Sequence, residues 1–572
     1  MNRRNFITYT ALLGGSALLE SNTLAPRINK SFGRKSSNQS IEKEAAADVV
    51  IIGGGLGGCA SALAACRNGL SVILTEETDW IGGQLSQQGV PPDEHQWIET
   101  HGAPASYREF RTKVRAYYKR NYPLTADAQA RKHLNPGDAG VSRLCHEPRV
   151  AVSVLIEMLA PYISTGKLMV LTEHKIRKAD VIADSVKALE IVCLKTGFPK
   201  VLSAPYFVDA TECGDLLPLT GTEYITGTEA KSQTNELHAA EKADPKNNQA
   251  FTVCFAMDYQ PGINNIIDRP KEYDFWSQYV PKMEPAWSGK MLDLTYSNPR
   301  TLEPKKLGFH PEGISLGDTL NLWNYRRIIN ENNFVKGTYD GGITVVNWPQ
   351  NDYLLGNLID ESEEEFNKHV AAAKRQNLSL FYWLQTEAPR LDGGEGWAGL
   401  RLRGDIMGTE DGMAKYPYIR EARRIKAEFT VLEEHVGAEN RKLVAGAEAG
   451  IKAADFYDSV GVGYYHIDLH PSSRGNNYID FPSLPFEIPL GSLLPQRVNN
   501  LLPANKNIGT THITNGCYRL HPVEWSIGEA VGMLIAYAKK KDVPLRAIRE
   551  NRSMLKDFQN WIQKQGVEIK WK

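Results

Sequence analysis

The clearest pattern of apolar and polar positions lies near the start of the chain. Val49-Val50-Ile51-Ile52 is an unbroken apolar run, as a strand buried on both faces requires, and Gly53-Gly54-Gly55-Leu56-Gly57-Gly58 follows it at once. Small and apolar residues over 59–68 predict a helix that Gly69 stops. Ser71-Val72-Ile73-Leu74-Thr75-Glu76 predicts a second strand ending in an acid. Further along, 107–118 reads as a helix with Arg and Lys on its open face, and 150–159 as an amphipathic helix behind Pro148-Arg149. Leu168-Met169-Val170-Leu171 predicts another buried strand, 175–179 and 185–194 a hairpin, and Tyr206-Phe207-Val208-Asp209 one more strand. A strand is expected over 251–257, a long helix over 362–388, and a last buried strand over 500–505. A closing helix is expected near Pro522, with Gly528, Ala530 and Gly532 small enough to pass tightly under a flat ligand. Strands alternating with helices place the chain in the α/β class.

The glycine run has the form GxGxxG in the context that gives it meaning: strand, turn, helix, second strand, acid. Gly53 permits the tight turn, Gly55 lets a pyrophosphate approach the backbone, and Gly58 lets the helix pack close to the strand. Gly54, Leu56 and Gly57 complete the cradle, at the positive end of the helix. Glu76 stands where a ribose hydroxyl pair would sit, and an acid there favours an unphosphorylated adenosine ribose over NADP. The fingerprint alone leaves FAD and NAD open. Trp80-Ile81-Gly82-Gly83-Gln84 supplies a second glycine pair shortly after the acid, resembling the segment that continues towards the flavin in FAD enzymes of the glutathione-reductase and fumarate-reductase type, with Gly83 and Gln84 as cofactor contacts.

Asp209-Ala210-Thr211-Glu212-Cys213-Gly214-Asp215 is a second marker. A buried strand runs into a small-residue turn, where Ala210 and Thr211 can press on a dinucleotide and Asp215 can meet its hydroxyls. It resembles the Asp-Ala-Thr-Gly segment of flavoproteins with two dinucleotide domains, with Glu212 standing where glycine is usual. The third marker runs from Gly509 to Gly532 and holds His512, Arg519, His521 and Glu524. A helix start there would stabilise negative charge on a reduced flavin, with Gly528 beneath the ring.

Composition narrows the class. At 572 residues the chain exceeds a single core, so two domains are expected. A net charge of -1 argues against a nucleic-acid partner, and 42% hydrophobic content is ordinary for a globular chain. Seven scattered cysteines without a CxxC indicate neither zinc nor a disulfide framework, and no metal is expected. Arg3-Arg4 ahead of an apolar stretch of about fourteen residues, too short to span a bilayer, has the shape of a signal peptide over 1–26. It resembles a twin-arginine signal, departing at Asn2 and Thr8, and implies export to the periplasm or beyond without a stable membrane span. Residues 27–46, rich in Lys, Ser, Asn and Glu, read as a solvated linker. The composition turns aromatic and Asn-rich between about 225 and 480, where Asn347-Trp348-Pro349-Gln350-Asn351-Asp352-Tyr353 would suit a polyhydroxylated ligand. Arg420, Arg423 and Arg424 cluster near Glu421, as salt-bridge partners or as one anion-binding arginine.

The three markers, with Asn347-Trp348-Pro349, Tyr418-Ile419-Arg420-Glu421 and His521-Pro522-Val523-Glu524-Trp525, resemble a family of bacterial, often exported FAD-dependent oxidoreductases over about 46–540. The xanthan lyase label that some members carry has no support in these residues. The resemblance implies FAD and a fumarate-reductase-like layout: a discontinuous Rossmann-like FAD-binding domain (47–225 and 481–545), an inserted α+β substrate domain (226–480) and a helical tail (546–572). The expected reaction moves a hydride from a small polar donor, carbohydrate-related compounds included, to flavin N5 and on to an unidentified electron acceptor. His512 and His521 are the candidate bases, Arg519 orients an anionic or carbonyl oxygen, and Glu524 sets a histidine tautomer. An NAD-dependent dehydrogenase and a flavin-binding electron carrier without its own substrate chemistry are the alternatives.

Overall fold

A computed structural model describes residues 44–446 and 451–571. The expected signal and most of the linker lie outside the described residues; Ala45–Ala46, at the linker's end, form a short strand beside Pro199–Ser203. Five parallel strands make the central sheet: β1 (Val49–Ile52), β2 (Val72–Thr75), β3 (Leu168–Leu171), β4 (Tyr206–Asp209) and β5 (Leu501–Pro503), in the order β5-β4-β1-β2-β3. Every residue of β1 is buried, which is why it reads as an unbroken apolar run. Ile52 pairs with both Thr75 and Asp209, and Asp209 with Pro503, so the carboxyl ends of four strands lie along one edge. Ligands of open α/β sheets bind beyond that edge.

Helix α1 (Leu56–Arg67) begins three residues before the start expected from the apolar pattern. Gly57 and Gly58, poor helix formers, are drawn into its first turn by contacts that tolerate no side chain. A Cβ on Gly58 would stand 2.1 Å from the Gly53 carbonyl oxygen, and one on Gly57 1.6 Å from that of Ala504. The third marker holds two helices rather than one: α2 (His512–Tyr518), capped by the Thr511 hydroxyl at the Thr514 N–H, and α3 (His521–Lys541). A Cβ on Gly528 would lie 2.0 Å from the Gly57 carbonyl oxygen, and one on Gly532 2.4 Å from that of Ser61. The small residues of α3 therefore serve its crossing with α1. Gly528 packs a helix against a helix, which corrects its expected place beneath the ring.

The 174–203 region forms the expected hairpin and a third antiparallel strand. A second hydrophobic core draws its buried residues from Cys213 to Tyr478. It holds an antiparallel sheet in the order Arg327–Ile329, Ile343–Val346, Phe255–Tyr259, Leu400–Leu402, against the 24-residue helix Glu363–Thr386. Two further helices, Leu545–Glu550 and Arg552–Gln563, close the chain. Among the described residues no helix is long and apolar enough to cross a membrane.

Candidate active site

At the carboxyl edge of β1, β2 and β4 lies a cleft lined by Gly53, Gly55, Glu76, Glu77, Ala210, Thr211, Glu212 and Asp215. Gly53 has a φ of +98°, and a Cβ there would stand 2.2 Å from the Ala210 carbonyl oxygen, so the turn admits only glycine. No side chain caps α1 at Gly55, which lines the cleft, and the first amide that bonds back is that of Cys59, so the helix starts uncapped beside the cleft. Glu76 accepts from the Gly54 N–H at 3.0 Å and the Thr78 N–H at 2.9 Å. Burial, with a smaller push from Glu77, raises its carboxyl to about 8. Asp209 serves the turn: it accepts from the Thr211 N–H and hydroxyl and from the Leu216 N–H. Asp215 lines the cleft and pairs with Arg423 at 3.0 Å.

From the cleft a continuous path of buried polar groups leads inward. Glu212 Oε2 lies 2.5 Å from Lys506 Nζ, which lies 3.1 Å from Glu524 Oε1, and the lysine side chain is wholly buried. Glu524 neighbours Gln84, whose amide donates to the Arg519 carbonyl at 2.8 Å. Along this path Glu212 Oε1, Gln84 Oε1, both amide atoms of Gln88 and Arg519 Nε are buried without partners. Glu524 thus faces a lysine, not the histidine expected of it, and burial raises its carboxyl to about 7.

The path ends at Arg519, which lines a cavity of about 260 Å³. Arg519 donates to the Tyr418 hydroxyl at 2.8 Å and to Asp468 Oδ2 at 2.8 Å. Arg326 pairs with Asp93 at 3.2 Å, and Arg420 with Asp352 at 3.0 Å. Each of these arginines leaves its Nε unpartnered, as Tyr478 leaves its hydroxyl. His466, Asp468 and His470 come from one short strand, Ile467–Leu469, and its two flanking residues, where alternation turns all three to one face. His470 Nδ1 lies 2.6 Å from Asp352 Oδ2, and Asp352 also accepts from the Thr252 hydroxyl at 2.6 Å. Burial pushes the Asp352 carboxyl up, but Arg420 and His470 together hold it below its ordinary value. Asp468 too is held below its ordinary value, against its burial, by His470 and Arg519. Asn347, Trp348, Pro349, Tyr418 and Arg420, drawn from two of the sequence phrases noted above, line the same cavity.

Two histidines expected here lie elsewhere. His521 is wholly buried, its Nδ1 accepting from the Asp93 N–H at 3.1 Å and its Nε2 lying 3.3 Å from the Val90 carbonyl. Both ring nitrogens are engaged by backbone, and burial lowers its pKa to about 4, so it holds the 90–93 loop in place. His512 bonds to Glu421 at 2.9 Å and opens on a different cavity. Of the four expected catalytic residues, only Arg519 reaches the 260 Å³ cavity.

Over residues 48–561 the chain matches the sequence profile of the FAD dependent oxidoreductases. The chain belongs to that family. It is an FAD-dependent oxidoreductase with a Rossmann-like α/β fold, and FAD is its cofactor. The residues present fit FAD: a glycine turn a Cβ would fill, an uncapped helix start for the diphosphate, an acid for the ribose, and, for the polar edge of the ring, the unpartnered Gln84 Oε1 and the Gln88 amide. No curated protein matches. Among solved structures the chain is similar to an E. coli quinol fumarate reductase FrdA variant (9% identity, 91% of this chain and 74% of that one, TM-score 0.30). It is also similar to a glycerol-3-phosphate dehydrogenase from Bacillus halodurans complexed with FAD (14% identity, 38% and 41%, TM-score 0.22) and to an L-proline dehydrogenase from P. horikoshii (16% identity, 33% and 24%, TM-score 0.18). The matched region spans less than half the length of these last two chains.

Proposed function

We propose that this FAD-dependent oxidoreductase oxidises a carbinol carbon of a small polyhydroxylated donor in the 260 Å³ cavity, with His470 as the base. The observation that carries the reading is the Asp352–His470 pair beside three arginines whose Nε groups lack partners. Asp352, ion-paired with Arg420, orients the His470 ring so that Nδ1 donates to it and Nε2 is the basic nitrogen. Bound FAD, held by the glycine turn and the first turn of α1, would supply the hydride acceptor. His470 Nε2 takes the hydroxyl proton as the carbonyl forms, and Arg519 orients the oxygen. Carboxylates at Asp93 and Asp468 accept from other hydroxyls, and the guanidinium groups of Arg326, Arg420 and Arg519 donate to them, so the lining combines the acceptors and donors that a polyol requires. Tyr418, Tyr465 and Trp348 cover its C–H faces.

The test is anaerobic mixing of the flavin-loaded protein with polyols, aldoses, sugar acids and amines while flavin absorbance is followed. A polyhydroxylated donor should bleach the flavin, and His470→Asn should slow bleaching about 10²- to 10⁴-fold without loss of bound flavin. Bleaching at the native rate in His470→Asn, or bleaching by amines alone, refutes the reading.

A further inference from the structure

We infer that a second cavity, outside the donor site, binds the ammonium group of a small alkylamine. It has a volume of about 250 Å³ and is lined among others by Thr228, Glu229, Glu236, His238, Tyr478 and His512. Two buried carboxylates, Glu229 and Glu236, line it, and two more, Glu421 and Glu433, stand directly behind the lining histidines His512 and His238. Arg424 is the buried cation among them, pairing with Glu229 at 2.9 Å and with Glu421. His238 lies 2.7 Å from Glu433, and His512 Nδ1 2.9 Å from Glu421. Among the described residues Glu236 has no cationic partner. Its Oε1 accepts from the Thr511 hydroxyl at 2.7 Å and from the Glu433 N–H at 2.8 Å, while its Oε2 is buried with no partner, although the residue is 1% exposed. An uncompensated buried carboxylate is strongly unfavourable, and burial accordingly pushes this one up to about 7.

An uncharged group points the same way. Thr228 lines the cavity, and its hydroxyl oxygen is buried and unpartnered among the described residues. The wall therefore offers acceptors in excess of donors around unbalanced negative charge. A primary ammonium carries three N–H donors, one positive charge and no acceptor, which is the complement of that wall. Ala239, Ile479 and Ile513 supply apolar surface for its alkyl stem. A metal ion suits the cavity less well, since among the described residues no group of three or more His, Cys, Asp or Glu side chains could hold one. Tyr478 lines both this cavity and the donor cavity, so an occupant here sits one side chain away from the reaction.

The probe is n-butylammonium, titrated calorimetrically into the flavin-loaded protein, with 1-butanol as its uncharged counterpart. The ammonium should bind, 1-butanol should bind at least about tenfold more weakly, and Glu236→Gln should cost the ammonium at least about tenfold in affinity, ~1.4 kcal/mol. Glutamine keeps the Oε1 acceptor for Thr511 and Glu433, so flavin content and melting temperature should match those of the parent. If Glu236→Gln fails to fold, Thr228→Val carries the test, because that hydroxyl has no partner to lose; it should weaken n-butylammonium several-fold. No heat with n-butylammonium, equal binding of 1-butanol, or unchanged affinity in the variant that folds overturns the inference.

Discussion

Replacing Lys506 by Met tests the path that joins the phosphate cradle to the donor cavity. The lysine is wholly buried between Glu212 at 2.5 Å and Glu524 at 3.1 Å, themselves nearly inaccessible. Removing one member of a buried ion pair typically destabilises a protein by ~3–5 kcal/mol, because the partner is left charged and desolvated. Glu524, raised by burial to about 7 even with the lysine beside it, should take up a proton when the lysine is gone, which places Lys506→Met near the lower bound, ~3 kcal/mol. Glu212 matters more for the cofactor. Its Oε1 lies 2.8 Å from where a Cβ on Gly55 would stand, at the uncapped first turn of α1, so without Lys506 its charge opposes a diphosphate there. FAD affinity should fall at least about tenfold. Adding Glu212→Gln should recover part of the loss, with a coupling of about 0.5–3 kcal/mol, and should restore affinity more fully than stability. Thermal melts with and without FAD, together with fluorescence titration of FAD into apoprotein, read both quantities. A single variant that melts and binds like the parent, or a double variant no better than the single, would show that the lysine does not hold the cradle's charge balance.

Gly57→Ala should destabilise the fold by about 1–3 kcal/mol, since its Cβ would meet the Ala504 backbone oxygen at 1.6 Å; an unchanged melting temperature would contradict the close passage described at the sheet edge. The pH dependence of stability should bear the mark of Glu76. Its carboxyl, raised from 4.5 to about 8 chiefly by burial, holds its proton more tightly folded than unfolded. The stability it contributes is full below about pH 4.5 and is lost as pH rises through about 8, equivalent to ~5 kcal/mol at most. Flavin-free protein should thus melt lower at about pH 8.5 than at about pH 5.5, and Glu76→Gln should flatten that slope. A parent that gains stability across this range, or an equal slope in the variant, would refute the assignment.

The nucleotide half of the fold was legible because its determinants are local. β1, the turn and α1 occupy adjacent stretches, and each glycine answers a backbone contact that no larger residue permits. The α1 boundary was misplaced for a physical reason: Gly57 and Gly58 look like loop until the Ala504 and Gly53 backbones pressing on them are seen, and Ala504 lies far along the chain. Gly528 and Gly532 signalled close approach correctly, but the pattern does not say whether a ring or a helix is the neighbour. The arginine cluster at 420–424 posed the same ambiguity. Glu421 pairs locally with Arg424, but the other partners, Asp352, Asp215, Asp360 and Glu229, are distant in sequence, and of the three arginines only Arg420 lines the 260 Å³ cavity.

With His470 as the proposed base, the site was legible in its anchors and not in that residue. The histidines of the third marker drew attention because histidine titrates nearest neutral pH, yet the turn from α2 to α3 sends His512 and His521 to different surroundings while Arg519 lines the cavity. The signal that was available is His466-Ile467-Asp468-Leu469-His470: polar residues at every second position around two apolar ones, the pattern of a half-buried strand with three titratable groups on one face. Alternation could have placed them together, though not beside Asp352 and Arg420, which fix the orientation of His470 from other parts of the chain. A base defined by its orienter is a tertiary property. The carboxylate that selects the tautomer pairs with Arg420 and accepts from Thr252, so the proton acceptor is assembled only when three distant stretches close on one another. The same closure leaves the Arg326, Arg420 and Arg519 Nε groups without partners. Buried donors of that kind are costly unless a ligand meets them, and this is why the cavity, rather than either histidine of the closing helices, is where the donor should be sought.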